Sequence, residues 1–97
     1  MASSPIILIT GGNTGLGFEV IKSLCQSTKA YTILLAGRDI EKANAAAKEI
    51  QTEFADTASV VETVQVDIED DNSIAQAFEH VSEKYHRIDV LVNNAGR

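Results

Sequence analysis

The sequence predicts an α/β domain, a parallel sheet of four strands in the order 3-2-1-4 joined by three helices. Two observations carry that expectation. Apolar runs of strand length alternate along the chain with segments whose apolar residues recur at helical steps, the pattern of strands linked by crossover helices. The first such run passes into the first helical segment through a glycine-rich turn, Thr10-Gly11-Gly12-Asn13-Thr14-Gly15-Leu16-Gly17.

Taken in order, strand one is expected over Ile6–Thr10, with the single proline, Pro5, just before it where no ladder bond is lost. The helix after the glycines places Phe18, Ile21, Leu24 and Cys25 on one face. Strand two covers Thr32–Ala36. Helix two carries Ile40, Ala43, Ala47, Ile50 and Phe54 at sustained helical spacing, with Asp39 as its N-cap and alanines that favour helix and close packing. Strand three covers Val60–Val66 and alternates enough to suit an edge. Helix three, over Asn72–Tyr85, follows the acidic stretch Asp67 to Asn72 and carries Ile74, Ala77, Phe78, Val81 and Tyr85; strand four is Val90–Val92. Strands one, two and four are nearly continuous apolar runs, as buried parallel strands require. No linker, repeat or low-complexity stretch interrupts the series, so residues 1–97 read as one domain. Right-handed crossovers from strand one to two to three, then a reversal to strand four, give the order 3-2-1-4 and place a ligand crevice between strands one and four.

The turn has the chemistry of a dinucleotide site. Gly11 lets the chain leave a strand sharply, Gly15 lets backbone approach a pyrophosphate, and Gly17 allows helix and sheet to pack closely. The unpaired N–H groups of the helix's first turn, at the positive end of its dipole, then face the phosphates. No Gly-Lys-Ser/Thr follows, which excludes a P-loop.

The spacing Gly-x-x-x-Gly-x-Gly led by Thr10, together with Asn93-Asn94-Ala95-Gly96 after Asp89-Val90-Leu91-Val92, resembles the short-chain dehydrogenase/reductase family, carbonyl-reductase-like members in particular. The resemblance covers the whole chain and implies a Rossmann-type fold. It corresponds to the first, cofactor-binding part of such an enzyme, so the chain is expected to be a truncated form. It further implies that Thr10, Gly11, Asn13, Thr14, Gly15, Leu16 and Gly17 form the phosphate turn. Asp67 and Ile68 then meet the adenine ring, and Asn94, Ala95 and Gly96 line the adenosine-ribose side, with Asn93 and Asn94 tying strands together. By their residues alone, Asp67, Glu69, Asp70 and Asp71 read equally well as an acidic helix start favoured by the dipole.

Cofactor choice turns on the end of strand two, where NAD-binding versions place a carboxylate for the ribose hydroxyls. Here the residues are Ala36-Gly37-Arg38-Asp39. Arg38 would hold a 2′-phosphate by charge-assisted hydrogen bonds that a carboxylate would repel, so NADP is favoured over NAD. In the family the residues matching Arg38 and Asn13 contact that phosphate; Thr14 departs from the Lys or Arg that many NADP-using relatives carry. The plainer reading of Arg38 is a solvated side chain paired with Asp39.

Other features bound the function. A net charge of -6 with pI near 4.7 and scattered basic residues offers no basic face for nucleic acid or an anionic membrane. The N-terminus has no basic n-region, and no apolar run approaches a membrane span, so a cytoplasmic protein is expected. Cys25, alone, reads as a small buried hydrophobe rather than a reactive thiol. His80 and His86 are not at ligand spacing, so no metal is expected from them. A receiver-type phosphoacceptor domain would need acids after strand one, where Thr10 and the glycines stand.

The family transfers hydride between a nicotinamide ring and a carbonyl or alcohol carbon, using a Tyr-x-x-x-Lys pair and a serine. Neither tyrosine here fits: Tyr31 is followed at the fourth position by Leu35, and Tyr85 by Asp89. Without a proton donor beside the substrate, general acid catalysis has no agent, and the chain is expected to be catalytically silent. The alternative is a non-catalytic nucleotide-binding or partner-binding module. An uncovered strand four and a sheet face shielded by one helix lead to an expectation of self-association.

Overall fold

Strand β1 (Ile6–Thr10), helix α1 (Gly15–Gln26), strand β2 (Thr32–Gly37), helix α2 (Ile40–Glu53), strand β3 (Val60–Gln65), helix α3 (Asp71–Tyr85) and strand β4 (Val90–Asn93) succeed one another in the computed structural model. The structure describes residues 4–11, 15–67 and 69–93, the last of these, Asn93, by its backbone only. The expected elements are all present, with small shifts at their ends. β2 runs on to Gly37, β3 stops at Gln65 rather than Val66, α3 begins at Asp71, and β4 includes Asn93. The strands are parallel and ordered β3-β2-β1-β4, as the crossover argument requires.

Side chains alternate across each strand, and the sheet accordingly divides its apolar residues between two layers. Ile7, Ile9, Ile33, Leu35 and Val61 meet Ile21 and Cys25 of α1 and Ala43, Ala47 and Ile50 of α2. Ile6, Leu8, Leu34, Ala36 and Val64 meet Ala77 and Val81 of α3 on the opposite face. The two connections running β1 to β2 to β3 place their helices on one face, and the reversed connection to β4 places α3 on the other. β1 is buried throughout and β2 from Ile33 onward, whereas β3 is buried only at Val61 and Val64, as an edge strand would be.

Both later helices start on an aspartate. Asp39 Oδ1 accepts from the N–H groups of Glu41 and Lys42 at 3.0 and 3.3 Å. Asp70 Oδ1 accepts from Asn72 and Ser73 at 2.9 and 3.4 Å. Helix α3 ends where His86 turns left-handed, φ 69°, and its N–H donates to the Ser82 carbonyl at 2.8 Å.

The two sheet edges differ. Along β3, Gln51 Nε2 donates to the Val61 carbonyl at 2.9 Å. Lys84 pairs with Glu62 at 2.9 Å, and the Tyr85 hydroxyl donates to the same carboxylate. Polar side chains thus occupy that edge beyond Val60, which is 51% exposed at its start. Along β4, Val90 and Leu91 are 46% and 51% exposed, an apolar edge of the kind that invites pairing.

Asp89 fastens β4 to β1. Its carboxylate accepts the Ile6 N–H at 2.7 Å and Arg87 Nε at 3.0 Å, while its own N–H donates to the Ile6 carbonyl at 2.9 Å. The Ile6 bond first, and Arg87 second, hold this carboxyl below the usual aspartate value. A carboxyl held low in the fold stabilises it above the unfolded value, and that stabilisation is lost as pH falls through the folded one. Asp89→Asn is therefore expected to lower the thermal midpoint near pH 7 and to lose less on acidification below about pH 4 than the parent chain. Parallel midpoint-versus-pH curves for the two proteins would remove Asp89 from that role.

Candidate nucleotide site

The carboxyl ends of the strands gather the site. Thr10 lies in register with Ala36 on β2 and with Asn93 on β4, and Gly37 lies opposite Gln65 on β3. Residues that leave these strands therefore emerge along one rim of the sheet, although they are far apart in sequence. Thr10 is buried, and its hydroxyl donates to the Val92 carbonyl at 3.4 Å, a tie between β1 and β4 at the mouth of the expected crevice. Gly11 then takes φ 64°, the left-handed conformation that allows the sharp exit from a strand. Gly15 opens α1 with φ 57°, and Gly17 is buried where the helix settles on the sheet.

A side chain at Gly15 would meet nothing within 4 Å, so its glycine is explained by backbone conformation rather than by crowding from the described protein atoms. Leu16 is 71% exposed. Asn13, Thr14, Ile68, Asn94, Ala95 and Gly96, all expected at the site, lie outside the described residues.

Helix α1 differs from its two successors at the N-terminus. Whereas α2 and α3 each carry an acid in the first turn and an aspartate cap, α1 has no acid in its first turn. The positive end of its dipole is not offset there by a carboxylate of its own, which suits it to an external anion.

Arg38 follows the last residue of β2 and is exposed. The expected alternative, an Arg38–Asp39 pair, does not form. Asp39 is committed to the backbone of α2, and the guanidinium enters none of the ion pairs formed among the described residues. Its charge therefore remains available. Across the rim, Asp67 is half-buried. Its N–H donates to Ser73 Oγ at 2.8 Å, and its Oδ1 accepts the Glu69 N–H at 3.0 Å. The acidic cluster thus separates into roles: Asp70 caps α3, and Asp67 is pinned at the end of β3. Arg38 and Asp67 line one open hollow of about 580 Å³ together with Gln65, Ser73, Gln76 and His80.

Gln65 and Ser73, which brace this rim, are not singled out by the sequence. A polar residue ending a strand or opening a helix carries no local signature of the bond it makes across the chain. Among the described residues no group of His, Cys, Asp or Glu is placed to hold a metal, and no helix is long and apolar enough to cross a membrane. Burial raises the Cys25 thiol above its ordinary value, so the sulfur stays protonated within the core.

Comparison with known proteins agrees with this arrangement. The chain is 38% identical over 96 residues to the short-chain dehydrogenase/reductase tropE of Talaromyces stipitatus, a match that covers 99% of this chain and 36% of that protein. It is 35% identical over 95 residues to carbonyl reductase [NADPH] 1 of Mus musculus, covering 98% and 32%. Among solved structures, menthone neomenthol reductase from Mentha piperita superimposes with a TM-score of 0.88 at 32% identity, covering 99% of this chain and 33% of that one. The chain spans about a third of the length of these relatives. The model of the short chain dehydrogenases matches residues 5–97. With strand order, glycine turn and sequence in agreement along its length, the chain belongs to the short-chain dehydrogenase family.

Proposed function

We propose that the chain is the NADP-binding segment of an oxidoreductase that transfers hydride between the nicotinamide cofactor and a carbonyl or alcohol carbon. The observation that carries the choice of NADP is Arg38, a guanidinium at the end of β2 that enters no ion pair among the described residues, with the adjacent Asp39 held by α2. A 2′-phosphate there gains a bidentate cationic partner. The name of the mouse relative, carbonyl reductase [NADPH] 1, supports the same choice.

In this reading the turn from Thr10 to Gly17 and the acid-free start of α1 hold the pyrophosphate. Arg38, with Asn13, takes the 2′-phosphate, Asp67 and Ile68 take the adenine, and Asn94 to Gly96 take the ribose side. The bound cofactor supplies hydride chemistry; these residues bind and orient it. Neither Tyr31 nor Tyr85 has a lysine four positions on, so neither offers the family's proton donor, and no turnover is expected of these residues alone. Titration with NADPH and NADH, followed by nicotinamide fluorescence or calorimetry, tests the binding claim. Saturable binding that favours NADPH is expected; a folded sample that binds neither would overturn it.

The exposed Val90 and Leu91 favour a second reading, a non-catalytic module that associates through β4. Under it, sedimentation shows concentration-dependent association of the purified chain, and Leu91→Lys, which places a charge on that edge, shifts it toward monomer. A parent chain that sediments as a monomer at all concentrations tested would exclude this reading.

A further inference from the structure

We propose that Gln65 is a positioning residue that sets the discrimination between cofactors with and without a 2′-phosphate, by holding the backbone of Arg38; this rests on the NADP-binding reading above. The β2–β3 ladder closes with Val66 N–H donating to the Gly37 carbonyl at 2.9 Å. One residue further along β2, beyond the last strand residue, Gln65 Nε2 donates to the Arg38 carbonyl at 3.2 Å. On the other side of Arg38, Asp39 is fixed by Glu41 and Lys42 at the start of α2. The peptide chain of Arg38 is thus tied before, at and after the residue, while its guanidinium takes part in no ion pair among the described residues.

That combination suits a side chain that must meet an anion. A backbone already fixed leaves only side-chain freedom to be lost when the phosphate binds. The described ladder between β2 and β3 ends at Gly37 and Gln65, and the Gln65 amide carries the tie between the two segments one residue further. The acceptor is a backbone carbonyl, so the contact requires the amide's NH2 and not its oxygen. Gln65 lines the same hollow as Arg38 and Asp67 without contributing charge to it.

The test compares adenosine 2′,5′-bisphosphate with adenosine 5′-monophosphate, which share every group except the 2′-phosphate, by calorimetric titration of the 97-residue chain. Gln65→Met keeps the length of the side chain and removes the donor. It is expected to weaken the bisphosphate by about three- to tenfold, the range of one lost hydrogen bond, and to leave the monophosphate unchanged. Gln65→Asn keeps the amide but shortens its reach, and is expected to behave as Gln65→Met does. In an Arg38→Ala background the Gln65→Met effect disappears, because the residue acts only through the arginine. Equal weakening of both ligands would show a general structural role, no weakening would show no role, and a loss persisting without Arg38 would show direct contact with the phosphate. Each of these overturns the proposal while leaving NADP binding intact. A parent chain with no preference for the bisphosphate would instead overturn the NADP reading, and this inference with it.

Discussion

In the Arg38→Asp variant, NADPH binding is expected to fall by about one to two orders of magnitude, the range of about 1.5–3 kcal/mol for hydrogen bonds to a charged group, while NADH binding is expected to be held or improved. The reversal follows from what surrounds the residue. Asp39 already has two helix N–H groups on its carboxylate, so in the proposed site a carboxylate at position 38 would be the one left to meet the ribose. It would repel a 2′-phosphate and accept from free ribose hydroxyls, the role an acid at the end of the second strand plays in NAD sites. Arg38→Lys should fall between, since it keeps the charge and loses the planar fork. Because the site is exposed, the NADPH preference of the parent chain should shrink as salt is raised through the range where the Debye length drops below about 8 Å. Titration of the three proteins with both cofactors at low and high salt reads all of this. Equal NADPH affinity for Arg38→Asp and the parent would place the 2′-phosphate elsewhere.

The fold was legible because its signals are redundant. Buried strands such as Ile6–Thr10 and Thr32–Gly37 advertise themselves as apolar runs, and the helices as stripes at helical steps; the order of strands then follows from handedness. Element ends differ from the expected ones by one residue, as at Val66 and Asp71, because strand and helix boundaries rest on individual hydrogen bonds that no periodicity encodes. Val66 still bonds to the Gly37 carbonyl although β3 ends at Gln65. At the site, glycines were legible because positive φ at Gly11 and Gly15 is a local demand met by one residue type. Arg38 was legible as a charge, but whether Asp39 would neutralise it was not. Asp39 could serve either as ion-pair partner or as helix cap, and only the geometry decides. Asp89 escaped notice for a related reason: its partner, the N–H of Ile6, lies at the other end of the chain.

Leu34→Ala should destabilise the chain by about 2–5 kcal/mol, the range for truncating a buried leucine. Leu34 is fully buried in β2, and its neighbours in that layer include Ala36, Ala77, Val64 and Val81. Its register partners are Leu8 on β1 and Glu62 on β3, so the truncation opens space inside the layer between the sheet and α3. The consequence is large because a chain of this size buries only about two-thirds of its unfolded surface and holds a total stability of roughly 5–15 kcal/mol. A single helix, α3, covers this face of the sheet among the described elements, so the loosened layer has no second helix to compensate. Leu91→Ala gives the contrast. Leu91 lies on β4 at 51% exposure, and its truncation should change stability by no more than about 0.5 kcal/mol. Urea unfolding followed by circular dichroism separates the two: a lowered midpoint with an unchanged slope for Leu34→Ala locates the loss in packing. Similar midpoints for both variants would mean that the layer between β2 and α3 is not packed as described, and the support it gives to the β2–β3 rim carrying Arg38 would fall with it.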